Sequence, residues 1–264
     1  MNDKHFRQLL DELGYSWQGY RRVRKGVIKR LVHHMRQLDI RDVDGYLQRI
    51  RSEPDIRREA RRLMTVSISR FFRDPPVWNC IETKLVPELL SRGPAVVTAW
   101  FAGCSLGQEV YSFKMLWLLL ENQTGPLPQL SLTATDVNPE YLNMAAAGVY
   151  RDHIIKEIPG KCLERFFRRD RGLCLLAEDV KRDISWQRHD LTGPAPMRGP
   201  FHMIFMRNSL LTYCKEEFRG SHVGRLSESL ASRGYLIIGA REEMPADVKD
   251  LYRVDDCPCV FRKR

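Results

Sequence analysis

From residue 5 to residue 64 apolar positions recur at three- and four-residue intervals with little β-branched clustering, which predicts helix throughout. Val23, Val27, Leu31, Met35 and Leu38, joined by Ile28 and Val32, fall on one stripe, while Arg21, Arg22, Lys25, Lys29 and Arg36 lie mostly off it. This is an amphipathic helix with a basic outer face. Asp42 and Pro54 stand where helices begin, and they predict short helices running through Arg51 and Leu63. A further helix is predicted over residues 77–90, broken by Ser91-Arg92-Gly93-Pro94. Beyond that break the pattern changes. Runs at 96–101, 130–135, 184–189, 202–206 and 235–238 read as strands, and the helix-length intervals between most of them imply a mainly parallel sheet with helices on both faces. Segments 252–254 and 259–261 predict a last antiparallel hairpin turning at Asp255-Asp256. Between Pro159 and Trp186, segments 172–176 and 180–181 are candidates for a small strand insertion. The organisation expected is a basic helical domain over 1–76 and an α/β domain over 77–264, with the β insertion at about 159–187.

Charge sharpens this division. The chain of 264 residues carries a formal +10, of which the first 73 residues supply +9 and everything after them +1. A positive lobe on a near-neutral body suggests an acidic partner, either nucleic acid or an acidic protein surface. No stretch approaches the roughly 20 apolar residues of a membrane span, and Met1-Asn2-Asp3-Lys4 has no signal-peptide character, so a soluble, cytoplasmic monomer is expected. Seven cysteines without regular spacing argue against a disulfide framework. Cys257-Pro-Cys259 lacks the second ligand pair that zinc requires, and no metal is expected.

Candidate chemistry gathers at the strand ends. The first strand empties into Ala102-Gly103-Cys104-Ser105-Leu106-Gly107-Gln108-Glu109, where two glycines four apart, between strand and helix, would let the backbone pass close under a ligand. The spacing is neither that of a dinucleotide fingerprint nor that of a P-loop. Asp136 ends the second strand, where a carboxylate grips ribose hydroxyls; its alternative role is a helix N-cap before Pro139. His189-Asp190-Leu191 follows the third strand and suits the edge and face of an adenine, and Asn208 ends the fourth beside the same crevice. Four strand ends facing one switch point predict a nucleotide-type cofactor.

These motifs, in this order, resemble the CheR-type chemoreceptor glutamate methyltransferases. The likeness runs through Ser69-Arg70-Phe71-Phe72-Arg73 (Ser/Thr-x-Phe-Phe-Arg in the family), the stretch from Ala102 to Ser112 (AGCSTGEEPYS), Thr135-Asp136 followed by Ala147-Gly148-Val149-Tyr150, and Ile204-Phe205-Met206-Arg207-Asn208 (IFCRN). The resemblance implies a class I, Rossmann-like methyltransferase sheet binding S-adenosylmethionine, and methyl transfer to glutamates on the cytoplasmic helices of chemoreceptors. It implies Ala102, Gly103 and Glu109 at the methionine end of the cofactor, Asp136 at the ribose, Asp190 and Leu191 at the adenine, and Asn208 near the sulfonium. Ser69 and Arg73 would stand at the transfer centre, with Arg73, Thr212, Tyr213 and Arg30 as substrate contacts.

The sequence departs from the family pattern at three points. Gln108 replaces the first carboxylate of Gly-Glu-Glu, Ser69 replaces the usual Thr, and Thr212 stands where the family has tyrosine. Tyr213 is offset by one residue, a rotation of about 100° on a regular helix. The insertion also lacks a glycine-rich excursion, which predicts independence from a receptor C-terminal tether peptide. Two rivals stand beside this reading. Asp74-Pro75-Pro76 is similar to the tetrapeptide of adenine-N6 methyltransferases, although Val77 is not aromatic and a nucleic-acid substrate is disfavoured. Gln108 and Thr212 would also suit a degenerate cofactor-binding module without turnover.

Overall fold

The computed structural model describes residues 1–193 and 197–264. Its N-terminal part is helical: α1 (Asp3–Leu13), α2 (Trp17–Tyr20), α3 (Arg24–Gln37), α4 (Val43–Ser52) and α5 (Pro54–Leu63). Local signals set their limits. The Asn2 side chain accepts from the His5 amide at the start of α1, Gly14 ends that helix in the left-handed region at φ 78°, and Asp42 caps α4 by accepting from Gly45. Phe6, Leu10, Leu31, Tyr46, Ile50 and Met64 meet in one core, and α3 turns Val27, Leu31 and Met35 into it as its stripe predicts.

The expected 77–90 helix is one rod of three parts, α6 (Pro75–Cys80), a π turn (Ile81–Leu85) and α7 (Val86–Leu90). Pro87 explains the π turn, because without an N–H it cannot serve the carbonyl of Thr83.

The main sheet has seven strands in the order β6-β2-β1-β7-β8-β10-β9: β1 (Val96–Ala102), β2 (Gln129–Asp136), β6 (Ile184–Arg188), β7 (Phe201–Met206), β8 (Leu230–Ile238), β9 (Leu251–Val254) and β10 (Cys257–Lys263). The first five are parallel, and the β9–β10 hairpin closes the edge antiparallel. Alternate residues of β1 serve different layers: Val97, Ala99 and Phe101 pack on one face, Trp100 and Ala102 on the other. Burial on both faces requires continuous apolar runs, which is why these strands were readable. Helix α8 (Gln108–Thr124) follows β1, α9 (Pro139–Ala147) follows β2, and α12 (Leu210–Tyr213) with α13 (Glu216–Glu228) joins β7 to β8. The order in which strands are added reverses between β1 and β7, which run parallel, so the carboxyl ends of β2, β1 and β7 open on one switch point.

Three expectations are corrected. The small antiparallel sheet, ordered β3-β5-β4, takes in β3 (Val149–Arg151), β4 (Phe167–Asp170) and β5 (Leu173–Leu176), so it begins ten residues ahead of 159. Residues 180–181 belong to a helical turn, α11 (Glu178–Lys181), after the α10 helix (Gly160–Phe166) and β5. They are too few and too polar on one side to pair as a strand. Cys80 and Cys257, 177 residues apart, form a disulfide that joins α6 to β10, their Cα atoms 6.3 Å apart. Cys257 is thereby committed to a sulfur partner and not to a Cys-x-Cys metal site.

Candidate cofactor and acceptor site

The cavity lies where the turn after β1 folds over the end of β2. Gly103 and Cys104 both donate to the Thr135 carbonyl, at 2.9 and 2.8 Å. Gly103 has φ +82°, and a Cβ there would stand 3.1 Å from the Ser209 Cβ and 3.7 Å from Leu191. The second glycine has a different reason: a Cβ on Gly107 would press on Ala145 and Trp186, each at 3.0 Å. Thus Gly103 shapes the cavity wall, and Gly107 lets α8 start against α9 and β6.

Asp136 is 7 % exposed and accepts from the Ser105 amide and the Asn138 amide, both at 2.9 Å. Burial pushes its carboxyl above the ordinary aspartate range, against the pull of those amides. Each oxygen keeps a lone pair for a further donor. The helix that follows is capped by Asn138, which accepts from Glu140, so Asp136 is not needed as the cap.

At the next strand end Asp190 accepts from the Thr192 amide (2.9 Å) and hydroxyl (2.6 Å), and Arg61 of α5 reaches it at 3.3 Å. Burial would raise its pKa, but the Thr192 bonds and the Arg61 charge together hold it below the usual range. Leu191 and His189 line the same end, with His189 edge-on to Trp100. The helical lobe closes the opposite wall with Tyr15, Tyr20 and Met64, and the two parts are joined by backbone bonds from Ser16 to Tyr213 (2.8 Å) and from Lys215 to Gly14 (3.0 Å).

Ser69 and Arg73 enter the cavity from the segment before α6, and Asn208 from the end of β7. The Arg73–Asp74 ion pair is loose, at 3.9 Å, because Asp74 is engaged at 2.7 Å by Arg207. Among the described residues the Arg73 guanidinium makes one hydrogen bond, to the Ile68 carbonyl at 3.0 Å. Arg207 has no exposed side-chain surface; it pairs with Glu109 as well as Asp74. Glu109 lines the cavity, and burial raises its pKa against the attraction of Arg207 and Arg73.

Five sequence assignments take different places. Ala102 is buried beneath the turn, its carbonyl accepting from the Ser209 hydroxyl at 3.4 Å, and it does not line the cavity. Arg30 stands off the cavity: its guanidinium donates to the carbonyls of Leu63 (2.9 Å) and Thr65 (2.6 Å), closing the C-terminus of α5. Thr212 also stands off the cavity, donating to Glu242 at 2.6 Å. Gln108 is 2 % exposed and likewise absent from the cavity wall. Asp74 of Asp74-Pro75-Pro76 is bound to Arg207 and opens α6, so the segment starts a helix and does not end a strand of the sheet. Tyr213, by contrast, does reach the cavity despite its offset.

Sequence reasoning missed Ser105, Tyr141, Arg61, Arg207 and Glu242. Arg207 had a signal, since it directly precedes Asn208 in a recognised block. Glu242 had none, although it accepts from the amides of Asn208 (2.9 Å) and Gly239 (2.8 Å) and so fixes the corner where Asn208 sits at φ 53°.

Comparison with known proteins agrees with this geometry. The chain is 27 % identical over 88 % of its length to the putative methyltransferase Cher3 of Pseudomonas putida, covering 85 % of that protein. It is 31 % identical to chemotaxis protein methyltransferase 1 of Vibrio cholerae, over 72 % of this chain and 70 % of that one. A 104.1 kDa protein of Rhodobacter capsulatus is 28 % identical over 86 % of this chain, which spans only 24 % of that larger protein. The residues fit S-adenosylmethionine: a glycine cradle that a Cβ would fill, and a buried carboxylate with spare acceptor capacity at the end of β2. The family model for the CheR methyltransferase, SAM binding domain, matches residues 67–260, so the chain belongs to the CheR family of methyltransferases and its cofactor is S-adenosylmethionine.

Proposed function

We propose that the protein methylates glutamate side chains on the cytoplasmic helices of chemoreceptors, forming methyl esters. The observation that carries this is Arg73, a cavity-lining guanidinium whose ion-pair partner Asp74 stands 3.9 Å away and is held more closely by Arg207, set beside Asn208 and Tyr213. Bound S-adenosylmethionine supplies a methyl group on a positively charged sulfur. Gly103, Asp136, Asp190 and Leu191 would hold it, with Glu109 at the end nearer Arg207.

A glutamate side chain titrates near pH 4.3 and is already a carboxylate at neutral pH, so no general base is needed. The site matches that demand. Glu109 is paired with Arg207, and burial keeps Tyr213 a neutral phenol, a hydrogen-bond donor. Of the two histidines beside strands, His202 bonds Thr98 at the opposite end of the sheet, and His189 lines the cavity at the Asp190 end, edge-on to Trp100. Arg73 can then orient one carboxylate oxygen, and orientation of this kind supplies up to about 7–11 kcal/mol of a barrier. Among the described residues no helix is long and apolar enough to cross a membrane. The reading places the protein in the cytoplasm as a monomer. It also includes independence from a receptor tether peptide, because the β4–β5 connection is the two-residue turn Arg171-Gly172; micromolar binding of such a peptide in calorimetry contradicts that part.

Incubation with radiolabelled S-adenosylmethionine and receptor cytoplasmic fragments should yield base-labile methyl ester. Arg73→Ala should keep cofactor binding and lose transfer. Label in RNA or DNA, and none in the fragments, would overturn the proposal.

A further inference from the structure

A second hollow of about 790 Å³ adjoins the cofactor cavity, between the segment leading into α6 and the start of α10. The two share Ile68, Arg73 and Asn208. Cofactor and acceptor must approach the transferred carbon from opposite sides, and two hollows that meet at Arg73 offer that arrangement. We propose that this groove is the docking surface of the acceptor, and that its occupant is an acidic amphipathic helix carrying the target glutamate. The inference rests on the function proposed above and adds where, and by what chemistry, the substrate is recognised.

Charge and apolar surface both argue for that occupant. Of the acidic residues around the groove, Glu157 is paired with Arg70 at 3.1 Å and Asp74 with Arg207 at 2.7 Å, leaving Glu82. Against it stand Arg73, Lys161 and Arg241; the last two are exposed, and among the described residues neither has a carboxylate within 4 Å. The balance is positive. Phe72, Trp78 and Leu119 supply apolar walls, and Ile68, 52 % exposed at the junction of the hollows, is an apolar side chain left largely uncovered. On a helix the neighbours of a glutamate at three and four residues lie about one turn, 5.4 Å, along the same face. With the target glutamate at Arg73, Ile68, whose carbonyl accepts from Arg73 at 3.0 Å, is the apolar surface beside it, and Lys161 and Arg241 are the cations of the same groove for acidic positions of that helix.

The test is the double variant Lys161→Glu with Arg241→Glu, assayed on a receptor cytoplasmic fragment. KM for the fragment should rise at least about tenfold and become less dependent on salt, with kcat and S-adenosylmethionine affinity held within about twofold. Unchanged melting temperature shows that the fold is intact. An unaltered KM overturns the proposal while leaving the methylation reading in place; so does a KM that responds only to Lys25→Glu with Lys29→Glu on the outer face of α3. If the wild-type protein methylates no fragment, the reading itself fails. Calorimetric titration with the fragment then decides the groove: binding that the double variant loses sustains it, and binding that survives, or no wild-type binding, ends it.

Discussion

Arg207 is the point at which stability and site geometry depend on one side chain. Its guanidinium has no exposed surface, pairs with Glu109 and with Asp74 at 2.7 Å, and donates to the Arg73 carbonyl at 3.1 Å. Arg207→Leu would leave two carboxylates facing each other, one on a side chain only 15 % exposed and the other 32 %. Breaking a buried pair from one side costs about 3–5 kcal/mol. At this chain length each kcal/mol lowers the melting temperature by about 2–4 °C, so calorimetry at pH 7 should show a fall of about 6–20 °C. The pH dependence adds a second check. Burial already raises the Glu109 pKa in the folded protein, and losing its cation raises it further. Folded protein then binds more protons than unfolded protein between the ordinary glutamate value and the raised one, and unfolding free energy falls as pH rises through that window. The variant's deficit should therefore shrink on acidification from pH 7 to 5, while Arg207→Lys, which keeps the charge but not the fork, falls between. A drop below about 2 °C, or a deficit that ignores pH, refutes the assignment.

Gly103→Ala should weaken S-adenosylmethionine binding at least tenfold by calorimetry, whereas Gly93→Ala, also at positive φ but with nothing within 4 Å, should leave it unchanged; equal affinities in both variants would exclude the cradle. Asp190, held below its ordinary pKa, contributes stability that is present above the unfolded value near 4 and is lost as pH falls through the folded one, so Asp190→Asn should flatten the acid limb of urea stability between pH 5 and 3. A limb parallel to wild type contradicts this. Thr212→Val removes the bond to Glu242 and should cost about 1–2 kcal/mol in urea unfolding, with Thr212→Ser restoring most of it; equal losses in both would place the cost in packing.

The sequence made the sheet legible because its central strands are buried on both faces. Val97, Ala99 and Phe101 serve one layer and Trp100 the other, leaving an apolar run broken only by Thr98 and ended by Gly103. Asp136 and Asn208 could be found for a related reason, since they stand at or just past the buried ends of β2 and β7; Asp190 follows the largely exposed edge strand β6, and only its place in the order of strand ends marks it. Residues that act across elements were out of reach. Arg30 lies on a basic helix and resembles any exposed arginine until α5 is seen to end beside it. The Cys80–Cys257 pair needs the knowledge that α6 crosses β10. Glu242 belongs to a polar stretch whose partner amides are fixed only once β8 lies beside β7.

The replacement of tyrosine by Thr212 shows how far a rotation argument holds. It assumes a regular helix, yet α12 has only four residues, begins after Asn208 at φ 53° and Ser209 at φ −121°, and gives way to extended backbone at Cys214. In so short a turn the neighbours set side-chain direction. Thr212 is drawn toward Glu242 on one side, and its carbonyl lies so close to α2 that a Cβ on Gly19 would overlap it. Tyr213 is held on the other side by the backbone bond from Ser16 and by the Tyr20 ring, 4.9 Å away. A phenol therefore still faces the cavity, carried by position 213 in place of 212. Gln108 also stands off the cavity wall, so the two departures fall at residues that do not line the cavity.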